Sequence, residues 1–219
     1  MHYEKLIEAH RLFYGGWEYR APYYDEYMES KNWEEWESSS VSLAEIEKLF
    51  SFIRKWDFHF KGDPEVFKKI YEWLHPFIKE LKQERIEDAN LTDNKLREKV
   101  KNIFDRVADC PGTGRYESTD ASKILHTILP SFFVMWDDKI REEIVKGGHY
   151  GAVYANVFLP KVREELEEAI RTCMDGENLS RDEAVKYIRE QCDGKTLAKL
   201  ADEFNYMKHT KRHPSLGSP

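Results

Sequence analysis

Cysteine is scarce and scattered: Cys110, Cys173 and Cys192 are the three in the chain, and no two form a C-x-x-C pair. That spacing excludes a zinc ribbon or an iron–sulfur cluster, and in a reducing compartment it reads as three free thiols. A helix-borne H-x-x-x-H is missing too, since His209 and His213 stand close to the chain end with Pro214 directly after them. There is no Walker-type phosphate loop, no G-x-S-x-G elbow and no Cys/His nucleophile pair. The longest uncharged apolar run, 124–136, is broken by His126, Thr127, Pro130 and Ser131 and is too short to cross a bilayer. The start, MHYEKLIEAH, lacks the basic opening and apolar block of a secretory signal. Together these absences predict a cytoplasmic protein that uses no metal and no cofactor and has no membrane partner. Glutamine occurs only at Gln83 and Gln191 while Glu and Lys abound, a bias resembling that of heat-adapted proteins.

What is present is a foldable chain. Its 219 residues are 41% hydrophobic, 34% charged and 14% aromatic, enough to build a buried core. A net charge of -7 argues against broad electrostatic attraction to nucleic acid or anionic lipid. The charge is uneven, however: residues 1–50 are mainly acidic, whereas the segment from Lys208 to His213 is basic.

Apolar residues recur at helical spacing almost throughout. Leu6, Ile7, His10 and Phe13 share one side of a first helix that Gly15-Gly16 stops. Ser42-Leu-Ala-Glu45 is a capping box, opening a helix with Ile46, Leu49, Phe50, Ile53 and Trp56 on one face. Asp63-Pro64 starts another, with Val66, Phe67, Ile70, Tyr71 and Leu74 as its stripe, and Pro76 is expected to kink or restart it. Leu96, Val100, Ile103, Phe104 and Val107 mark the next. Residues 150–174 read as helix interrupted at Pro160, and Ser180-Arg-Asp-Glu183 is a second capping box. Leu197, Leu200, Ala201 and Phe204 form the last helix. No strand and no repeat is visible. The pattern predicts an all-α globule of roughly nine or ten helices, as one body or as two small lobes around a helix–hairpin–helix. The expected organisation is an arm over 1–40 packing on the body, a helical domain over 41–207 and a loose basic tail over 208–219.

Residues 17–37 hold seven aromatic rings (Trp17, Tyr19, Tyr23, Tyr24, Tyr27, Trp33, Trp36) among seven acids. Such a mixture suits a basic peptide, a sugar or a cation, because ring faces and carboxylates both attract positive charge, and it would make the chain a non-catalytic helical module that binds a protein or a small ligand. The competing expectation is that the rings fill gaps in the helical body.

One stretch, 110–143, carries the sharper chemistry. In Pro111-Gly112-Thr113-Gly114-Arg115-Tyr116 two glycines permit a tight turn, whose bare amides at a helix start can hold a phosphate. A helix with Ile124, Leu125, Ile128 and Leu129 follows, and then Phe133-Val-Met-Trp-Asp137-Asp-Lys-Ile140. These residues resemble the helix–hairpin–helix DNA glycosylase superfamily. Its members carry a P-G-x-G-[RT]-x hairpin, a helix, and then F-P-x-x-D-x-x-V/I with a catalytic aspartate. The hairpin is most similar to that of the adenine-glycosylase branch, and Val134 stands where the family has proline. The resemblance implies that Asp137 is the catalytic carboxylate, that the amides of Gly112, Gly114 and Arg115 hold a backbone phosphate, and that duplex DNA is the partner. Members that also cleave the strand have a lysine nucleophile where this chain has Tyr116, which implies a monofunctional glycosylase, a hydrolase of DNA repair.

Each of these residues also has a plainer reading. Asp137 is an N-cap, with Met135 and Ile140 as the staple around that helix start. Lys123 is an activated amine if desolvated and otherwise a solvated cation. His126 supports the site or else sits hydrogen-bonded in the core.

Overall fold

The structure, a computed structural model, describes residues 1–109 and 116–217. The protein is all-α, 71% helical, with no strand among the described residues. In chain order the helices are α1 (Tyr3–Leu12), α2 (Ala21–Ser30), α3 (Trp33–Glu37), α4 (Leu43–Trp56), α5 (Pro64–Leu81) and α6 (Asn94–Ala108). They continue with α7 (Ser118–Ile128), α8 (Asp138–Val145), α9 (Gly151–Val153), α10 (Leu159–Glu177), α11 (Arg181–Glu190) and α12 (Leu197–Asn205).

The caps are where the residue types place them. Asp63 accepts from the amides of Glu65 and Val66 ahead of Pro64, and Asp93 accepts from Lys95 N. Ser180 and Glu183 form both halves of their capping box. The expected box at Ser42 is only half formed. Its hydroxyl accepts from Glu45 N, but Glu35 takes the Ser42 amide, and Glu45 turns inward to Asn32 N and Trp36 Nε1. A long-range partner there outcompetes the local one.

Pro76 lies inside α5, which continues through it without restarting. The chain is helical from Gly151 to Glu177, and its regular α geometry gives way just before Pro160 to a π turn at Tyr154–Phe158 that joins α9 to α10. In α5 the expected stripe holds except for Val66, which is exposed.

The first forty residues contribute to the core. α1 packs between α12 and α10, tied by Tyr3 N to Thr172 Oγ1 and Tyr3 Oη to Glu177 Oε1. Tyr24, Tyr27 and Trp36 are buried, so the aromatic stretch spends much of its ring area inside. Trp17, Tyr19 and Trp33 remain exposed. Past Tyr206 the chain, read from sequence as a loose tail, is tied in. It continues as a π turn to Thr210, Lys211 pairs with Glu18 at 3.1 Å, and Leu216 is buried.

The apolar run after α7 crosses the core without being helical. Phe132, Phe133, Val134 and Trp136 are all buried, so their backbone groups need partners other than water. Side chains supply them. Tyr154 Oη accepts from Val134 N at 3.0 Å and donates to Val134 O at 2.7 Å. Ser122 Oγ accepts from Trp136 N, and His126 Nδ1 donates to Phe133 O at 2.6 Å. This wiring delivers Asp137 to the start of α8.

Candidate active site

The crossing segment and its neighbours enclose a cavity of about 640 Å³. Phe13, Tyr24, Phe52, Trp56 and Trp136 give it an aromatic wall, and Asp57, Asp137 and Asp202 bring carboxyl groups to it. Arg20, Lys123, Lys139 and Arg141 also line it. Each of these four cations stands beside an acid. Arg20 forks onto Glu18 at 2.7 Å, Lys123 meets Asp120 at 3.1 Å, Lys139 meets Glu142 at 3.3 Å and Arg141 meets Asp138 at 2.9 Å. Aromatic rings and balanced charge suit a planar, polar-edged ligand better than a bare polyanion.

Asp137 is the N-cap that the plainer reading expects, and it also faces the cavity. Its Oδ1 accepts from Ile140 N at 2.8 Å as the N-cap of α8, and its Oδ2 accepts from Thr210 Oγ1 at 2.5 Å. It is only partly buried and lines the cavity. A negative charge at that helix start is electrostatically favoured.

Tyr116, the first described residue after the hairpin, lines the same cavity. Its hydroxyl donates to Asp105 and accepts from Gly151 N at 3.0 Å, and its ring meets those of His149 and Tyr150. Lys123 is there too, with its amine on Asp120. Gly112, Gly114 and Arg115 lie outside the described residues.

His126 is not at the cavity. It is fully buried, its Nδ1–H is spent on Phe133 O, and its Nε2 accepts from Tyr24 Oη at 2.9 Å. Burial drives its pKa from 6.5 down to about 3, so the ring is neutral. Its supporting role is structural, holding the segment that carries Asp137.

Several residues at the site carry no motif. Glu18 is buried under Arg20, Tyr206 and Lys211. Burial opposes its charge, but hydrogen bonds from Arg20 and Tyr206 prevail and bring its pKa to about 2. On α12, Asp202 Oδ2 receives Lys199 Nζ at 2.7 Å, and Lys199 also faces Glu203 at 3.6 Å. Glu203 in turn meets His10 Nδ1 at 2.8 Å, and His10 Nε2 reaches the exposed Asp193 at 3.2 Å. Lys199 stays cationic: burial works against it, and Asp202 and Glu203 more than offset that. Burial raises Asp202 to about 6 despite Lys199, and raises Asp120 to about 6 despite Lys123.

These shifts set a pH dependence. Asp120 and Asp202 have folded pKa values above their ordinary 3.8, so the stability they contribute is complete below pH 3.8 and is lost as pH rises through 6. His126, lowered from 6.5, acts oppositely: its contribution is lost as pH falls below 6.5 toward 3. Glu18, held at about 2, acts in the same sense as His126, so acidification from pH 6.5 to 4 sets two stabilising carboxyls against two destabilising groups. Urea midpoints of wild type and Asp120→Asn at those pH values isolate one of them: wild type should gain on the variant as the pH falls. A difference between the two that does not change with pH would contradict the raised pKa of Asp120.

Among the described residues no group of three or more His, Cys, Asp and Glu is set to hold a metal ion, and no helix is long and apolar enough to cross a membrane. No family model, curated protein or solved structure matches the chain.

Proposed function

We propose that the protein binds DNA and hydrolyses the N-glycosidic bond of an extruded base, with Asp137 as the catalytic carboxylate. The observation that carries this reading is that Asp137, while capping α8, lines the same 640 Å³ cavity as Tyr116, the residue directly after the glycine hairpin. A base that enters the cavity meets Phe52, Trp56 and Tyr24, and stacking on such rings is worth about 1–3 kcal/mol per base. That offsets part of the cost of extruding the base from the duplex, a few kcal/mol.

As the bond from sugar to base lengthens, the sugar becomes oxocarbenium-like, and a carboxylate held beside it stabilises that charge. The same carboxylate takes a proton from the attacking water. Tyr116 supports hydrolysis over strand cleavage, because its phenol is committed to Asp105 and Gly151 N and it offers no amine for a Schiff base. The amides of Gly112, Gly114 and Arg115 would hold the backbone phosphate, a grip that depends little on the net charge of -7.

A panel of duplexes, each carrying one damaged or mismatched base, tests the reading. Base release from at least one duplex and binding that weakens with salt are expected. If neither occurs, the hydrolase reading is overturned.

A further inference from the structure

We infer that Trp56, Arg20 and Asp57 form the specificity wall of this cavity. They select a heterocycle whose edge carries a carbonyl oxygen beside a ring N–H over one that carries an amino group. This rests on the reading that the cavity admits a base, but it uses residues at the start of α2 and the end of α4, far outside the 110–143 stretch that carries the family resemblance.

All three residues line the cavity. The Arg20 guanidinium is fixed in place. Its Nε and Nη2 donate to Glu18 at 2.7 and 3.2 Å, Nη2 also donates to Tyr206 Oη at 2.9 Å, and Nη1 donates to Trp56 O at 3.2 Å. A guanidinium has five N–H groups, so one on Nη1 is left without a partner among the described residues. Its carbon lies over the rings of Tyr19 and Trp56, 5.4 and 4.8 Å from their centres, which leaves a ligand the edge of the group rather than its faces.

Trp56 supplies a second donor, because its indole Nε1 is buried with no hydrogen-bond partner among the described residues. A buried donor left in that state is costly unless a ligand or water completes it. Asp57 supplies the acceptor. Its Oδ1 takes the amide of His59 at 2.9 Å, and its Oδ2 makes no hydrogen bond among the described residues. The three groups are neighbours, since Arg20 Nη1 is bonded to the carbonyl of the peptide that joins Trp56 to Asp57.

Two donors beside one acceptor tell two kinds of heterocycle apart. A carbonyl oxygen has two lone pairs and takes both donors, while the N–H next to it donates to Asp57. An amino base presents N–H hydrogens and a ring nitrogen with a single lone pair. Whichever way round it enters, one donor stays unpaired, which weakens binding by on the order of tenfold or more.

Equilibrium dialysis of the full chain against free hypoxanthine, adenine, uracil and cytosine tests this, because the members of each pair differ at that edge. Hypoxanthine should bind about tenfold or more tightly than adenine, and uracil than cytosine. Trp56→Phe keeps a ring and removes the indole N–H, so the ratio within each pair should shrink by about fivefold or more, a change that a merely structural role would not produce. Thermal melting checks that the variant folds; if it does not, the wild-type ratios alone decide. Equal or tighter binding of the amino bases, or binding of none of the four, overturns the specificity wall and leaves the duplex assay to judge the hydrolase reading. Preference for the carbonyl bases with no base released from any duplex overturns the hydrolase reading instead, and the wall stands.

Discussion

Trp136→Ala is expected to cost about 3–5 kcal/mol of unfolding free energy, the range for deleting a buried aromatic side chain. The indole is 1% exposed and closes the core on three sides. It sets its edge against Phe104 at 5.7 Å and Tyr154 at 5.0 Å, and it tilts on Phe158 at 5.0 Å. Its Nε1 donates to Ser118 O at 3.2 Å, which ties the crossing segment to the first turn of α7. Those neighbours come from α6, α7 and the π turn, so no single element can collapse into the gap. Trp136→Phe keeps most of the ring but loses the bond to Ser118 O, which should cost about 0.5–1.5 kcal/mol. Urea denaturation at constant slope separates the two. A loss below about 1 kcal/mol for the alanine variant would mean that the ring is not packed as described.

The same residue shows what sequence reading can reach here. The helices were legible because burial at intervals of three and four leaves a trace, as in Leu49, Phe50 and Ile53 of α4, all buried. The run 132–136 is visibly apolar in sequence, but its non-helical path is not visible there. That path depends on Tyr154, Ser122 and His126 reaching in from other elements. Asp137 could be picked out because cap and motif coincide locally. Asp202 could not. On a helix wheel Lys199, Asp202 and Glu203 look like the wet side of α12, and it is α1 together with the rings of Phe13 and Tyr24 that makes that side interior. His10 gave a faint hint, a polar residue on an apolar face, but its partner Glu203 lies 193 positions away. Thr210 is similar: nothing in the basic segment it belongs to indicates that its hydroxyl holds Asp137. In the aromatic stretch, composition could not separate Trp36, which packs on Tyr71, from the exposed Trp33.

Asp137→Asn separates the capping role of this residue from its chemistry. The amide oxygen can still accept from Ile140 N, and the amide nitrogen can donate to Thr210 Oγ1 where the carboxylate accepted. Asparagine is as good an N-cap as aspartate, so the unfolding free energy should change by less than about 0.5 kcal/mol. Base release should nevertheless fall by on the order of 100- to 10,000-fold, because a neutral amide neither stabilises a developing oxocarbenium nor takes a proton from water. Binding to a lesion duplex should persist, since no phosphate or stacking contact is removed. Asp137→Ala is the contrasting case: it loses the cap and strands Thr210, costing about 1–2 kcal/mol, while its chemical defect should match that of the asparagine variant. The pair therefore dissociates two quantities that one acid joins in the wild type. If Asp137→Asn keeps its stability and also keeps base release, Asp137 is a helix cap at the edge of a cavity and the chemistry assigned to it is wrong. If both variants lose release in proportion to their loss of stability, the effect is folding alone. Only unchanged stability together with abolished release, in the asparagine variant, is the outcome that a catalytic carboxylate requires.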